Sequence, residues 1–360
     1  MVGQDMRRVT TVVIACLALC LTASNRSKPL TQEENKAVNE LTANLGQRCV
    51  GRYLIDMPAD VFVFGSITVD RVPLEATAMP EDQFQREVAS REAELKGTRS
   101  ADAYPFLYAS GEVSGAATRY FIHRGEVHTD PGGRVIEAYK WDRGFQIKMR
   151  VEGWDYTNPD QTDDSLVQKM TVKNNVPALR TLVFDLLKRV RGRPESEIPS
   201  EPGVCFFGGF LPGKAGATEN LWTQFVLHDK IDVSVGLETN SDIREQTTLL
   251  QRGDSINAAL KESEGHTIRK GQVDLPGLPA EEWLMAGMTT RDVPGHHLAL
   301  EANSRIGSAQ TPLITLELDT GSYNNVLQDR IEKTASLTEG EAVAFWDVIS
   351  RTLRPRPNGF

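Results

Sequence analysis

The sequence lacks the short motifs that identify common hydrolases, nucleotide-binding proteins and metalloproteins. It contains no Gly-x-Ser-x-Gly nucleophile elbow, no HExxH zinc motif, no P-loop and no EF-hand loop. The histidines are scattered, and the adjacent His296 and His297 would point to opposite faces of a strand, so they cannot grip one metal ion together. The sequence therefore predicts no catalytic residue, no metal site and no cofactor.

An excess of positive charge is also lacking. The chain has 40 Lys and Arg against 49 Asp and Glu, a formal net charge of −9. Nucleic-acid binding requires a basic surface, and docking on anionic lipid headgroups has the same requirement. The acidic balance argues against both functions and permits a partner with a basic face.

Long hydrophobic runs are absent after the first residues of the chain. Residues 9–21 are almost entirely apolar and follow Arg7 and Arg8, but this run is shorter than the roughly 20 residues that span a bilayer. The pattern predicts a secretory signal peptide at 1–24 and a periplasmic mature chain without a membrane span. Two alternatives stay open, an uncleaved N-terminal anchor and a lipoprotein modified at Cys16.

Cysteine is scarce, and the leader accounts for Cys16 and Cys20, so only Cys49 and Cys205 remain after cleavage. Two cysteines in an oxidising compartment favour one disulfide. The alternative is a pair of separate buried thiols.

Several features occur twice in the same order, which indicates an internal duplication. The first half opens with Cys49-Val-Gly-Arg-Tyr-Leu-Ile-Asp-Met-Pro58 and the second with Cys205-Phe-Phe-Gly-Gly-Phe-Leu-Pro212. Each opening precedes β-rich segments, a helix, further strands and a closing amphipathic helix. The closing helices are followed by Arg-Gly-Arg-Pro194 and Arg-Pro-Arg-Pro357. Because the two cysteines occupy equivalent points, a pseudo-two-fold axis between the halves would allow them to bridge the two lobes.

The repeated order predicts an α+β fold of two similar domains, each a mainly antiparallel sheet with helices packed on one face. We place an N-terminal domain with a leading helix at 25–194, a linker at 195–203 and a C-terminal domain at 204–360. Capping boxes at Thr31 with Glu34 and at Thr338 with Glu341 mark the starts of the leading and last helices. The apolar spacing over 243–261 predicts a helix that Gly253 weakens.

Two matched loops that follow predicted strands are candidates for partner binding, because long loops mixing aromatic and acidic residues are frequently functional. Exposed Trp and Tyr supply large contact areas at low entropic cost. The candidate contact residues are Trp154, Tyr156, Asp160, Asp163 and Tyr323.

The two cysteine-centred openings, taken with their separation, resemble those of two-domain immunity proteins that neutralise phospholipase and lipase effectors of type VI secretion systems. The second opening includes Gly203-Val-Cys205-Phe-Phe-Gly-Gly-Phe, and the resemblance extends over residues 48–355. It implies a periplasmic inhibitor that binds one cognate lipase effector protein as a monomer or in a 1:1 complex. It transfers no contact residue, since such interfaces follow their own toxins.

The resemblance agrees with the missing catalytic motifs, because an inhibitor that covers a lipase, or holds its lid closed, needs none. Two alternative functions stay open. One is an exported hydrolase with an unrecognised site, and the other is a periplasmic ligand-binding or envelope protein. A pocket of convergent ionisable groups with perturbed pKa values would favour the enzyme.

Overall fold

The computed structural model describes residues 29–115, 117–158, 164–216, 218–290, 292–321 and 334–360, and the predicted leader lies outside them. The helices are α1 (Gln32–Thr42), α2 (Glu81–Gly97), α3 (Ser165–Lys169), α4 (Val176–Arg189), α5 (Gly253–Glu262) and α6 (Glu339–Ser350). The strands that precede the linker are β1 (Leu45–Val50), β2 (Tyr53–Pro58), β3 (Val61–Val69), β4 (Val72–Ala78), β5 (Leu107–Gly111), β6 (Thr118–His123), β7 (Gly133–Asp142), β8 (Phe145–Trp154) and β9 (Arg191–Gly192). The strands that follow it are β10 (Gly203–Phe206), β11 (Gly209–Pro212), β12 (Glu219–Leu227), β13 (Ser234–Asn240), β14 (His266–Leu275), β15 (Leu278–Met288), β16 (Pro294–Ala302), β17 (Leu313–Thr320) and β18 (Arg354–Pro355).

Local sequence determines where helices α1 and α6 begin. The Thr31 hydroxyl accepts the Glu34 backbone N–H at 3.2 Å, and the Glu34 carboxylate accepts the Thr31 N–H at 2.8 Å. Thr338 and Glu341 repeat this reciprocal pair at the start of α6. Both predicted capping boxes are therefore confirmed. The helix predicted over 243–261 begins only at Gly253, after a single 3₁₀ turn at Leu250–Arg252.

Most of the strands form one antiparallel sheet of twelve, in the order β14-β15-β16-β17-β13-β12-β3-β4-β8-β7-β6-β5. From the centre of the sheet outward, the strand order is β3-β4-β8-β7-β6-β5 in the first half and β12-β13-β17-β16-β15-β14 in the second. These orders are the same strand by strand, which agrees with an internal duplication. The α+β class and the mainly antiparallel sheets are confirmed.

The two halves meet edge to edge. Strand β12 pairs with β3 along their whole length, from Leu227 opposite Val61 to Glu219 opposite Val69. The halves thus share a continuous sheet, which corrects the expectation of a separate sheet in each domain. The physical reason is that β3 and β12 would otherwise be edge strands with unpaired backbone groups, and pairing them satisfies both.

Each half carries helices on both faces of the sheet rather than on one. On β7, Glu137 bonds to Arg91 of α2, whereas Lys140 Nζ donates to carbonyl oxygens at the end of α4. On β15, Glu281 accepts the backbone N–H of Leu250, whereas its neighbour Glu282 accepts the indole N–H of Trp346 on α6. Since successive strand residues point to opposite faces, α2 and the α5 region lie on one face and α4 and α6 on the other.

One hydrophobic core underlies the α4 and α6 face of both halves. It includes Ile67 and Leu74 of the first half, Leu237 and Leu316 of the second, and the closing helices. Along each strand, buried apolar side chains point toward this core, and the side chains between them point toward the opposite face of the sheet.

Candidate partner-binding surface

The two halves are locked together on the core side by their opening hairpins. Strands β1 and β2 form one hairpin and β10 and β11 the other. The closing strand of the first half, β9, pairs with β11, and the closing strand of the second half, β18, pairs with β2. Each half therefore contributes a strand to the other half's hairpin, so the halves cannot separate without breaking backbone hydrogen bonds.

A disulfide joins the hairpins at their closest approach. Cys49 and Cys205 are bonded with a Cα–Cα distance of 5.7 Å, and Gly51 and Cys205 exchange backbone hydrogen bonds of 2.8 Å in both directions. Both cysteines are buried. The bridge between equivalent points of the two lobes, expected from the sequence, is present.

Buried arginines complete this lock. Arg52 makes a bidentate contact with Glu219 at 2.6 and 2.8 Å and also donates to the Gly359 carbonyl oxygen. Arg193 and Arg356, from the two repeated Arg-x-Arg-Pro endings, donate to backbone carbonyls of the linker and the second opening hairpin. Burial lowers the pKa of Arg356 to about 10, which still leaves it charged near neutrality. The repeated endings are thus anchors of the fold.

The opposite face of the sheet is open at its centre. Here α2 covers the outer strands β5–β7 and the α5 region covers β14 and β15, so the central strands lie between two helical walls. Ladder register places Trp222, Ser66 and Glu238 side by side on this face, with Phe64 and Phe62 further along β3. Phe62 is 37% and Trp222 40% exposed. These strands form a broad, partly aromatic surface that no described element covers.

Both walls are held to the sheet by ion pairs. Arg91 of α2 binds Glu137 on β7 at 2.8 and 3.0 Å, and Arg252, which precedes α5, binds Glu301 on β16. The walls therefore present a preformed surface whose geometry does not depend on a partner.

Two of the loop residues predicted from sequence, Trp154 and Tyr156, lie at one end of the first half. The Trp154 indole N–H donates to the Val172 carbonyl oxygen at 2.9 Å, and the Tyr156 backbone N–H donates to Lys173 at 2.8 Å. Both side chains are half-buried, so a contact role for them stays a prediction. Asp160, Asp163 and Tyr323 lie outside the described residues.

The geometry offers no catalytic constellation among the described residues. Burial opposes ionisation of the Glu137 carboxyl, but the His123 ring at 3.3 Å and hydrogen bonds from Arg91 and Tyr139 outweigh burial and hold its pKa far below the ordinary value. These partners enclose Glu137 beneath α2, away from any open cleft, and its role is structural. In the same part of the chain, no group of three or more His, Cys, Asp or Glu could hold a metal ion.

Both halves of the chain match the domain models of one protein family. Residues 47–193 match the N-terminal domain, and residues 197–358 the C-terminal domain, of Tle cognate immunity protein 4. The chain belongs to this family. Its members are immunity proteins, which agrees with the non-enzymatic role predicted from the sequence.

Solved structures of immunity proteins share the fold. The structure described as the Tle4–Tli4 complex contains a chain with a TM-score of 0.69 and 18% identity, covering 88% of this chain and 99% of that one. The apo structure of the type VI secretion immunity protein TplEi from Pseudomonas aeruginosa gives a TM-score of 0.68 and 18% identity, covering 88% of this chain and 98% of that one. The structure of TplEi complexed with "L" peptide gives 0.62 and 20%, covering 87% and 99%. No curated protein sequence matches the chain.

The aromatic side chains on the open face of the sheet were missed in the sequence analysis. The run Val61-Phe-Val-Phe64 could have indicated them. It makes both faces of β3 apolar, although only one face of this strand packs against the core. A strand that is apolar on both faces has a second surface to cover, and here no described element covers it.

Proposed function

We propose that the chain is a periplasmic immunity protein that binds and inhibits a cognate lipase effector of a type VI secretion system. The observation that supports this best is the ordered match of both immunity-protein domains over residues 47–358. The open sheet face between α2 and α5 supplies a surface for such a partner, and the acidic net charge suits a partner with a basic face.

Inhibition follows from shape and rigidity. A partner seated on the central strands contacts both walls at once, so a lipase bound there has its active-site mouth covered or its lid held closed. The Arg91–Glu137 and Arg252–Glu301 ion pairs hold the two walls to the sheet before binding, and the disulfide holds the two halves together, which lowers the ordering cost of association. No reacting group is needed from this chain.

Location and boundaries are part of the proposal. Residues 1–24 act as a signal peptide, and the Cys49–Cys205 disulfide suits the oxidising periplasm. Among the described helices, none combines the length and apolar character that crossing a bilayer requires. The domains extend over 25–194 and 204–360, and one mature chain binds one effector.

The test is a titration of the purified mature chain against its cognate lipase effector. We expect lipase activity to fall linearly to zero at a ratio near 1:1. The chain alone should not hydrolyse esters or phospholipids. Lipase activity that is unaffected by excess chain would refute the inhibitor, and ester hydrolysis that survives repurification would support the hydrolase alternative.

A second experiment tests the candidate loop. Replacing Trp154 and Tyr156 by alanine should weaken effector binding if the end of β8 belongs to the interface, with circular dichroism confirming an intact fold. An unchanged dissociation constant would remove this loop from the interface and leave the immunity function standing.

A further inference from the structure

The open sheet face has an aromatic centre where the two halves join. Phe62 and Phe64 on β3 stack with ring centroids 6.5 Å apart, and the His228 ring lies 3.8 Å from Phe62. Trp222 on β12 lies opposite Ser66, two positions along β3 from Phe64. We call Phe62, Phe64 and Trp222 the aromatic centre.

Two carboxylates flank Trp222 on the second half. Glu238 is its direct cross-strand neighbour on β13. Gly236 lies beneath the indole, since a Cβ there would be 4.0 Å from Trp222 Nε1, and Glu317 of β17 is the cross-strand neighbour of Gly236. Residues directly opposite in an antiparallel ladder point to the same face, so the indole and both carboxylates share one face.

These two carboxylates differ from three other glutamates on the sheet strands, each of which is paired with an arginine. Glu137 is paired with Arg91, Glu301 with Arg252 and Glu282 with Arg269. Within the described ranges, no Lys, Arg or His side chain forms an ion pair with Glu238 or Glu317. Partial burial, together with Asp319, Glu238 and Glu301 nearby, raises the pKa of Glu317 despite the opposing influence of His297. Among the described residues, the chain thus keeps two carboxylates without an ion-pair partner beside an exposed indole.

We propose that this niche binds a basic side chain, arginine or lysine, which the effector carries beside an apolar side chain on its surface. The inference rests on the proposed function and adds the chemistry of the partner. The cation lies against the Trp222 ring and between the carboxylates of Glu238 and Glu317, and the apolar side chain packs on Phe62 and Phe64. A cation over an indole is attracted by the ring quadrupole, and the two carboxylates add charge-assisted hydrogen bonds.

This arrangement predicts a trade between stability and binding at Glu317. Glu317→Gln removes the uncompensated charge while keeping the side-chain volume, so the free protein should be as stable as wild type or more stable. Its affinity for the effector should fall by about tenfold or more, because the cation loses one of its two anionic partners. A residue with a merely structural role would not raise stability and lower affinity together.

The experiment measures effector affinity by calorimetry for wild type, Glu317→Gln, Glu238→Gln, Trp222→Phe and Trp222→Ala. Glu33→Gln is the control, since it removes the same charge from exposed helix α1, which packs on α6 at the opposite face of the sheet. We expect Trp222→Ala to weaken binding by about thirtyfold, Trp222→Phe by less, and the control to have no effect. The salt dependence of the dissociation constant should flatten in the two Glu→Gln variants.

The outcomes are separable. The niche is refuted if Glu317→Gln and Trp222→Ala bind the effector as tightly as wild type and show the same salt dependence as the Glu33→Gln control. That result would leave the immunity function intact. Failure of the wild type to bind or inhibit the effector refutes the proposed function, and the niche falls with it.

Discussion

In the first half of the sheet, Glu137 is buried and receives hydrogen bonds from Arg91 and Tyr139, with His123 at 3.3 Å. In the second half, Glu317 is partly buried and has no ion-pair partner in the described part of the chain. In the shared strand order β7 corresponds to β16 rather than to β17, and α2 covers Glu137, whereas Glu317 lies on the open centre of the same face. The difference in charge pairing therefore follows the helical walls: carboxylates near the walls are paired within the chain, and Glu317 lies where the proposed partner would reach it.

The largest expected effect comes from cutting the link between the halves. Replacing Cys49 and Cys205 by serine opens a loop of 156 residues, and loop-closure entropy assigns about 4–5 kcal/mol to such a crosslink. Urea unfolding with and without reductant measures the loss. Each single variant should match the double variant. A change below about 1 kcal/mol would mean that the strand exchange and Arg52 hold the halves together without the disulfide.

The closing helices allow a matched comparison of the two halves. Leu186 and Ile349 each lie five positions before the following short strand, and both are fully buried in the same core. Leu186→Ala and Ile349→Ala should each cost about 3–4 kcal/mol of unfolding free energy. Because the core is continuous, we expect a single unfolding transition for both. Two separate transitions, each moved by one variant, would show that the halves unfold independently.

A smaller effect is expected at Glu137. Glu137→Gln should destabilise by about 2 kcal/mol, because Arg91 loses a charge-assisted bidentate partner in a buried site. Glu94→Gln, which removes the exposed partner of the same arginine, should cost less than about 0.5 kcal/mol. The folded-state pKa of Glu137 is depressed, so ionised Glu137 stabilises the fold at pH values above its ordinary pKa of 4.5. This stabilisation is lost progressively as the pH falls below 4.5 toward the depressed folded-state pKa. Equal costs for both variants at pH 7 would contradict this.

The sequence predicted those features that depend on local chemistry. Capping boxes at Thr31 and Thr338 determined helix starts, and the repeated cysteine openings indicated the strand order and the disulfide. The pairing of β3 with β12 could not be predicted, because it joins residues at least 150 positions apart and leaves no local signal. The helix start near 243 was wrong because Gly253 and a 3₁₀ turn compete with the apolar spacing.

The open aromatic face of the sheet was not predicted, for a related reason. Trp154 was selected from loop composition, yet its indole N–H is satisfied by Val172 of its own half. Phe62 and Trp222 were missed because alternation along a strand shows two faces but not which of them a helix covers. That assignment depends on where α2 and α5 pack, which is a tertiary property.

The smallest expected effect, and the sharpest contrast with Glu137, is the pH dependence of Glu317. Its folded-state pKa is raised, so the folded chain holds this proton more tightly than the unfolded chain does. Stability from this group is therefore present below its ordinary value of 4.5 and is lost as the pH rises through the raised folded value. Glu317→Gln should flatten this part of the stability curve and raise stability at pH 7 by about 0.5 kcal/mol or less.

Urea unfolding of wild type, Glu317→Gln and Glu137→Gln measures both slopes together when it is repeated from about pH 3 to about pH 8, a range that starts below the ordinary carboxyl pKa values of about 4 and ends well above them. The two variants should differ from wild type with opposite signs at pH 7. Loss of stability at pH 7 in Glu317→Gln, similar to that in Glu137→Gln, would show that Glu317 is compensated within the free chain. Its charge would then not be held in reserve for a basic partner.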